Sequence, residues 1–285
     1  MISTKNKTIE ILNKNGLFAK KKFGQNFLID TNVVMKIVKT ANITKETCVI
    51  EIGPGIGAMT EVLSEQACKV LCFEIDADMV KILGEEVKST NVKIVNEDFL
   101  KVDLNKEMDY FGEVKNIVVV SNLPYYITTP IIFKLLEYSD KIDKMVFMVQ
   151  KEVSDRLTAK PGTKDYGSLS VMIELNGKMK KEFNVSRNCF YPVPNVDSEI
   201  VSMEIDKSDS SLKNDPNFWK FTQNIFEMKR KTLANNICKK INISRDDLYK
   251  IFDKLGISES ARAESLSLNQ IEELYNSIIK MNIII

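Results

Sequence analysis

Five short apolar runs, separated by amphipathic helical segments and turns, constrain the fold of this chain most strongly. The pattern predicts strands over Cys48–Ile52, Lys69–Ile75, Val92–Val95, Ile117–Val120 and Lys144–Val149. Near-continuous apolar strands that alternate with helices are typical of a parallel sheet with helices on both faces. We therefore predict an α/β protein with a doubly wound, mostly parallel sheet.

The pattern changes after the fifth predicted strand. Leu169–Leu175 and Lys178–Val185 flank Asn176-Gly177, which predicts a two-residue β-hairpin. A further strand is predicted over Ser198–Ile205. These strands would complete a seven-stranded sheet with an antiparallel hairpin.

The segment 206–217 is rich in Ser, Lys and Asp and predicts a boundary between two domains. Beyond it the apolar spacing is helical, so we expect an α/β domain over residues 1–206 and a small all-α domain over 207–285. No apolar run reaches the ~18 residues that suggest a membrane span. Met1–Asn15 has no apolar leader segment. We therefore expect a cytoplasmic protein.

The chain has five cysteines and no histidine. The cysteines form no CxxC pair, so we interpret them as reduced thiols. The lack of histidine excludes Ser-His and Cys-His catalysis and most zinc sites. The chemistry must therefore use carboxylates, amides, backbone groups or a cofactor, and we expect no metal.

Glycines or carboxylates follow each of the first three predicted strands. Gly53, Gly55 and Gly57 form a turn whose backbone can approach a nucleotide closely, although such a turn also fits an ordinary strand–helix connection. Glu74 follows the second strand, where a carboxylate can accept from ribose hydroxyls. Asp98 follows the third strand and can accept from an adenine amine. Because these strand ends share one edge of the sheet, together they favour a nucleotide cofactor.

The stretch that follows the fourth predicted strand suits an adenine whose N6 is to be modified. The Asn122 side-chain oxygen and the Leu123 carbonyl can accept from the two N–H bonds of N6, which favours a pyramidal nitrogen with an available lone pair. Pro124 holds Leu123 in an extended conformation, and Tyr125 offers a stacking face. An adenine in folded nucleic acid must be unstacked to enter such a pocket.

Two interpretations of these motifs stay open. NAD competes with S-adenosylmethionine for the glycine turn, but a dehydrogenase does not need the turn at Asn122–Tyr125, so we favour the methyl donor. Phe190 lies in a proline-rich loop. Its ring is either a second face for the target base or a core aromatic.

The net charge is only +1, but basic residues cluster in two stretches. Residues 1–39 have eight lysines against two acids, and residues 213–240 have seven basic residues against two acids. Such stretches are typical of solvated helix faces or of contacts to phosphates. The candidate RNA-binding residues are Lys20, Lys21, Lys22, Lys229, Arg230 and Lys231.

A set of motifs resembles the rRNA adenine N6,N6-dimethyltransferase family over about residues 20–240. The motifs are Lys22–Leu28, Glu51–Gly57, Phe73–Asp76, Glu97–Phe99, Asn122–Tyr126, Tyr191–Ser198 and Lys229–Leu233. The double tyrosine and the Val-Asp-Ser segment favour the small-subunit branch, because the large-subunit branch usually has Asn-Ile-Pro-Tyr.

The resemblance implies a Rossmann-like methyltransferase that dimethylates two adjacent adenosines in the 3′-terminal hairpin of 16S rRNA in the 30S particle. It implies that the C-terminal domain helps to dock the subunit, and we expect a monomer. The alternatives are a 23S rRNA adenine methyltransferase and a protein that acts mainly as a 30S assembly checkpoint. The implied contacts to S-adenosylmethionine are Asn26, Leu28, Gly53, Glu74, Asp98 and Asn122.

Overall fold

A computed structural model describes residues 1–17, 25–208, 210–281 and 283. The chain divides into two compact units, Met1–Ser154 with Lys178–Asp206, and Asp155–Gly177 with Lys207–Ile285. One division between the units falls after Asp206. The second unit also takes in residues 155–177, which we expected in the first domain.

Strands and helices alternate through the first unit. The strands are β1 (Phe27–Leu28), β2 (Thr47–Ile52), β3 (Lys69–Phe73), β4 (Val92–Val95), β5 (Asn116–Asn122), β6 (Lys144–Gln150), β7 (Gly177–Val185), β8 (Phe190–Tyr191) and β9 (Ser198–Ile205). The helices of the chain are α1 (Lys5–Lys14), α2 (Thr31–Ala41), α3 (Ala58–Gln66), α4 (Ala77–Glu86), α5 (Leu104–Met108), α6 (Thr128–Leu136), α7 (Lys151–Leu157), α8 (Ser168–Asn176), α9 (Pro216–Ile225), α10 (Leu233–Lys240), α11 (Arg245–Lys254) and α12 (Leu268–Ile279).

The predicted α/β sheet is confirmed. Seven strands form one sheet in the order β4-β3-β2-β5-β6-β9-β7, while β1 and β8 pair separately. The five strands from β4 to β6 are parallel, so their carboxyl ends share one edge. Strand β9 is antiparallel to β6, with Ser198 opposite Gln150. The beginning of β9 therefore lies at the same edge as the ends of the parallel strands.

The predicted hairpin at Asn176-Gly177 is wrong. Residues 168–176 form α8 of the second unit, which packs on α9 and α12, and β7 lies beside β9 in the sheet. Most side chains of α8 are buried, so its sequence lacks the one-sided apolar period that would distinguish an amphipathic helix from a strand. Glycine is also the preferred residue after a helix, and Gly177 (φ 154°) ends α8.

Helix α2 shows how local sequence places a helix on the sheet. Asp30 caps it by accepting from the backbone N–H groups of Asn32 and Val33, as its position predicts. Its buried side chains lie one helical turn apart and join the core formed with β2, β3, β5 and β6. Among the described residues, no helix is long and apolar enough to cross a membrane.

Candidate active site

The carboxyl ends of β2, β3, β4 and β5 open onto a cavity of about 240 Å³. The structure brings to this cavity all the residues that we predicted to contact the cofactor, and four of the five predicted catalytic residues, with Asn122 in both sets. They are Asn26, Leu28, Gly53, Gly55, Glu74, Asp98, Asn122, Leu123, Pro124 and Tyr125. Parallel register accounts for the convergence of the segments that end or follow β2, β3, β4 and β5. Asn26 and Leu28 come instead from β1 and the residue before it, outside the seven-stranded sheet.

The turn after β2 depends on glycine. Gly57 has a φ of 95°, and a Cβ atom there would lie 2.7 Å from the side chain of Leu83 and 2.9 Å from that of Val87. Gly55 has a φ of 58°, and a Cβ atom there would lie 3.5 Å from the ring of Phe27. The turn therefore keeps a left-handed backbone close to its neighbours, and Gly53 and Gly55 bring that backbone to the cavity wall.

Glu74 is a fixed, buried acceptor in the cavity wall. Its Oε2 accepts from the backbone N–H of Gly55 at 3.1 Å, and its Oε1 accepts from the backbone N–H of Asp76 at 2.9 Å. Burial raises the pKa of Glu74, and the two backbone donors oppose that shift. Asp76 instead caps α4 and accepts from the side chain of Gln25 at 2.9 Å.

Two exposed apolar side chains form another part of the wall, and the sequence prediction missed both. Ile75 is 46% exposed and Leu100 is 36% exposed. Both line the cavity, in the segments that follow β3 and β4. Phe99 also lines the cavity, is 4% exposed and packs edge-on against Phe73, with 5.2 Å between ring centroids. The sequence signal that could have identified Ile75 and Leu100 is an apolar residue immediately after each strand-end motif.

Asn122 is the last residue of β5, and its amide orientation is set by a neighbour. Its Nδ2 donates to the carbonyl of Asn26 at 3.5 Å, which leaves Oδ1 as the acceptor on the other side of the amide. The backbone N–H of Leu123 donates to Met148 in β6 at 3.2 Å, while the Leu123 side chain is buried. The turn is therefore anchored to the sheet on which it ends.

The turn continues directly into α6, and no side chain caps this helix. Ile127 is the N-cap and makes no side-chain bond. Thr128 instead donates its hydroxyl to the carbonyl of Pro124 at 3.0 Å. This bond stabilises the proline turn itself. Tyr126 is 54% exposed and also lines the cavity.

Tyr125 is half-buried, and its hydroxyl shares a 2.8 Å hydrogen bond with the Ser198 hydroxyl at the start of β9. Burial raises the pKa of Tyr125, while the bond to Ser198 opposes that shift. The phenol is therefore neutral at physiological pH and offers a ring face.

Lys134 connects α6 to the loop after β4. Its Nζ donates to the carbonyls of Phe99 (2.7 Å) and Val102 (2.5 Å), and it lies 5.2 Å from the centroid of the Phe99 ring. Burial lowers the pKa of Lys134, and the surrounding carboxylates oppose that shift. The lysine therefore fixes the segment that carries Asp98.

Glu51 lies at the base of the cavity and is 1% exposed. The hydroxyl of Thr60 donates to its Oε2 at 2.7 Å, and the thiol of Cys72 donates to the same atom at 3.7 Å. Burial raises the pKa of Glu51 to about 8, against the effect of these two donors. The carboxyl is therefore mostly protonated near neutral pH.

Phe190 differs from the other predicted catalytic residues in its surroundings. It is 1% exposed, pairs with Leu28 between β8 and β1, and belongs to the main core cluster. It is absent from the cavity lining. Of the two interpretations of this ring, the structure matches the core aromatic.

The basic residues separate into different groups. Lys20, Lys21 and Lys22 lie outside the described residues. Lys239 and Lys240 pair with Glu227 at 3.8 and 3.0 Å. The three candidates in the turn before α10 are exposed, and no ion pair within the described part of the chain reaches them: Lys229, Arg230 and Lys231.

A buried asparagine holds this turn in the second unit. The Asn236 side chain accepts from the backbone N–H of Met228 at 2.9 Å and donates to its carbonyl at 3.3 Å.

Within the described ranges, no group of three or more His, Cys, Asp and Glu side chains could hold a metal ion.

Comparison with known proteins gives consistent matches over nearly the whole chain. The sequence profile of the family described as "Ribosomal RNA adenine dimethylase" matches residues 16–280. Proteins named "Ribosomal RNA small subunit methyltransferase A" are 44% identical, from Bacillus mycoides over 284 residues (98% of this chain, 97% of the relative) and from Lachnoclostridium phytofermentans over 276 residues (95% of each).

Two solved structures share the fold. A dimethyladenosine transferase from Plasmodium falciparum has a TM-score of 0.74 and 27% identity, covering 89% of this chain and 98% of that one. The 23S rRNA methyltransferase ErmE has a TM-score of 0.63 and 24% identity, covering 89% and 100%, which supports the fold alone.

Proposed function

Since this chain belongs to the ribosomal RNA adenine dimethylase family, we propose that it transfers methyl groups to N6 of two adjacent adenosines in the 3′-terminal hairpin of 16S rRNA. The observation that carries the proposal is the position of Asn122 and Leu123, at a strand end and on the same cavity as Glu74 and Asp98. The small-subunit substrate is favoured by relatives at 44% identity that are named for that subunit.

The residues of the cavity fit S-adenosylmethionine as the cofactor. Glu74 is a rigid acceptor for ribose hydroxyls, and Asp98 can accept from an adenine amine. The exposed side chains of Ile75 and Leu100 can pack on the faces of the adenine ring. The glycine turn leaves room for the amino acid part of the cofactor near Asn26 and Leu28.

Methyl transfer requires little acid–base help from the chain. When bound, S-adenosylmethionine supplies a methyl group on a sulfonium: the N6–C bond forms as the S–C bond breaks, sulfur keeps the electron pair, and N6 releases a proton to water. Asn122 Oδ1 and the Leu123 carbonyl orient the N–H bonds of N6, and Tyr125 stacks on the base. Alignment of N6 accounts for most of the rate enhancement.

The second unit supplies contacts to the ribosomal particle. The exposed Lys229, Arg230 and Lys231 suit RNA phosphates, and Asn236 holds the turn that carries them. The protein acts in the cytoplasm as a monomer that binds the 30S particle.

The decisive test is labelled methyl transfer from S-adenosylmethionine to 30S particles from cells that lack the 3′-hairpin methylation. We expect label in 16S rRNA as N6,N6-dimethyladenosine, with 50S particles as the control. Label in 50S particles only would instead assign a large-subunit target. Rescue of 30S maturation by a variant without activity would assign an assembly role that is separate from catalysis.

A further inference from the structure

Ser198 is a buried polar residue at the edge of the candidate active site, and the chemistry described so far gives it no role. Its side chain is fully buried, and its Oγ lies 2.8 Å from the hydroxyl of Tyr125, 73 positions away in the chain. Buried tyrosine hydroxyls require a hydrogen-bond partner. This bond joins the start of β9 to a ring that lines the cavity.

The direction of β9 explains how Ser198 reaches the site. Because β9 is antiparallel to β6, its first residue lies beside the carboxyl end of β6, opposite Gln150. The preceding residue, Asp197, fixes the entry to the strand. The Oδ1 atom of Asp197 accepts a hydrogen bond from the backbone N–H of Arg187 at 2.8 Å. The backbone carbonyl of Asp197 accepts from the backbone N–H of Lys151 at 3.3 Å. Ser198 therefore begins a strand whose position is held on both sides.

Tyr125 is fixed at both of its ends. At the backbone end, the hydroxyl of Thr128 holds the carbonyl of Pro124 at 3.0 Å. At the other end, Ser198 holds the phenol hydroxyl. A ring anchored at both ends has lost most of its rotational freedom before a base arrives, so binding costs less conformational entropy.

We propose that Ser198 is a positioning residue that holds the ring of Tyr125 in the orientation required to align the target adenine, an inference that rests on the proposed function. Dimethylation makes a fixed ring face especially important. After the first transfer, N6 has one N–H bond and one methyl group, so the Asn122–Leu123 acceptors hold the base through fewer hydrogen bonds. The second transfer then depends more on stacking against Tyr125.

The test combines Ser198→Ala, Tyr125→Phe and the double variant, assayed on undermethylated 30S particles with saturating S-adenosylmethionine. Each single change should lower the single-turnover rate about tenfold, as expected for loss of one buried hydrogen bond. The double variant should lose no more than either single variant, because both remove the same bond. Monomethyladenosine should accumulate, while the affinity for S-adenosylmethionine stays within about twofold of the wild type.

Ser198→Thr is the rescue variant, since it keeps the hydroxyl, and its rate should stay within about threefold of the wild type. Ser202→Ala is the matched control, because Ser202 also lies on β9 and donates to Glu182, away from the cavity lining. Its rate and product ratio should be unchanged.

Independent losses that multiply in the double variant would overturn the proposal, and so would a wild-type rate and product ratio in Tyr125→Phe. Tyr125→Phe keeps the ring and decides the question alone if Ser198→Ala fails to fold. Failure of the wild-type protein to dimethylate 30S particles would instead overturn the proposed function, so the two failures are distinguishable.

Discussion

At the scale of single residues, the site depends on polar atoms whose partners are fixed before any ligand binds. Asn122 donates to the carbonyl of Asn26, and Glu74 accepts from two backbone N–H groups. Each bond selects one orientation of the side chain. Fixed acceptors are effective because no free energy is needed to reorganise them when the reaction occurs.

Asn122→Ala should lower the rate of methyl transfer by about 100-fold or more, because it removes an acceptor that aligns N6. The affinity for S-adenosylmethionine, measured by calorimetry, should change little. A variant with wild-type activity would exclude the proposed role of Asn122.

Glu74→Gln should weaken binding of S-adenosylmethionine by about 10- to 100-fold. An amide has one acceptor oxygen, so it would turn its NH₂ group toward the backbone N–H of Gly55 or Asp76 and leave a buried donor unpaired. Calorimetric titration measures the effect, with Glu85→Gln on the exposed face of α4 as control. Equal affinities in both variants would remove Glu74 from the cofactor site.

Glu51→Gln should change how stability depends on pH. The folded protein raises the pKa of Glu51 from 4.5 to about 8, so the folded state holds a proton that the unfolded state has lost between these values. This contribution to stability is fully present below about pH 4.5 and is lost as pH rises toward about 8. The loss reaches a few kcal/mol, at about 1.4 kcal/mol per pKa unit.

The glutamine variant lacks this titration and keeps an acceptor for Thr60. Urea unfolding near pH 5 and near pH 8 should therefore show a smaller fall in the free energy of unfolding for the variant than for the wild type. Other titrating groups are shared by both proteins and cancel in the difference. Parallel pH dependence would mean that Glu51 is ionised in the folded state.

At the scale of secondary structure elements, the parallel strands place the site, and side chains from helices then connect the loops. Lys134 on α6 holds the loop that carries Asp98, and Ser198 on β9 holds Tyr125. Both connections join segments far apart in the sequence. Loops supply the reacting groups, and the regular elements hold those loops in position.

Lys134→Met should lower the free energy of unfolding by about 1–3 kcal/mol, because two buried carbonyls lose their donor. The affinity for S-adenosylmethionine should fall several-fold, since the loop with Asp98 becomes less fixed. Methionine keeps the apolar contact with Phe99. Lys141→Met, at an exposed lysine, is the control, and an equal effect in both variants would show that Lys134 does not hold the loop.

At the scale of the whole molecule, the candidate active site and the proposed docking residues belong to different units. The cavity lies in the first unit, whereas the exposed basic turn before α10 belongs to the second unit. The net charge of +1 shows that a local cluster, rather than the overall balance, would attract RNA.

Replacing Lys229, Arg230 and Lys231 together with alanine should weaken binding to 30S particles and leave cofactor affinity unchanged. The dependence of binding on salt should become shallower, by roughly 0.7 to 0.9 in the slope of log K against log salt for each phosphate that the variant no longer neutralises. Filter binding at several salt concentrations measures this slope. An unchanged slope would place the RNA-binding surface elsewhere.

The sequence by itself determined the parallel sheet and the residues at its carboxyl edge. Apolar strands, glycines and strand-end carboxylates are local signals, and parallel topology brings their positions together without further information. This is why Gly53, Glu74, Asp98 and Asn122 were all predicted and all line one cavity.

Only the tertiary structure decided features that depend on contacts between distant segments. The mostly apolar stretch at residues 169–175 could be strand or helix until its packing against α9 and α12 was known. Phe190 could face a ligand or the core, and packing placed it in the core. The bonds of Lys134 and Ser198 leave no local pattern, since they form only when α6 and β9 meet their loops in the folded state.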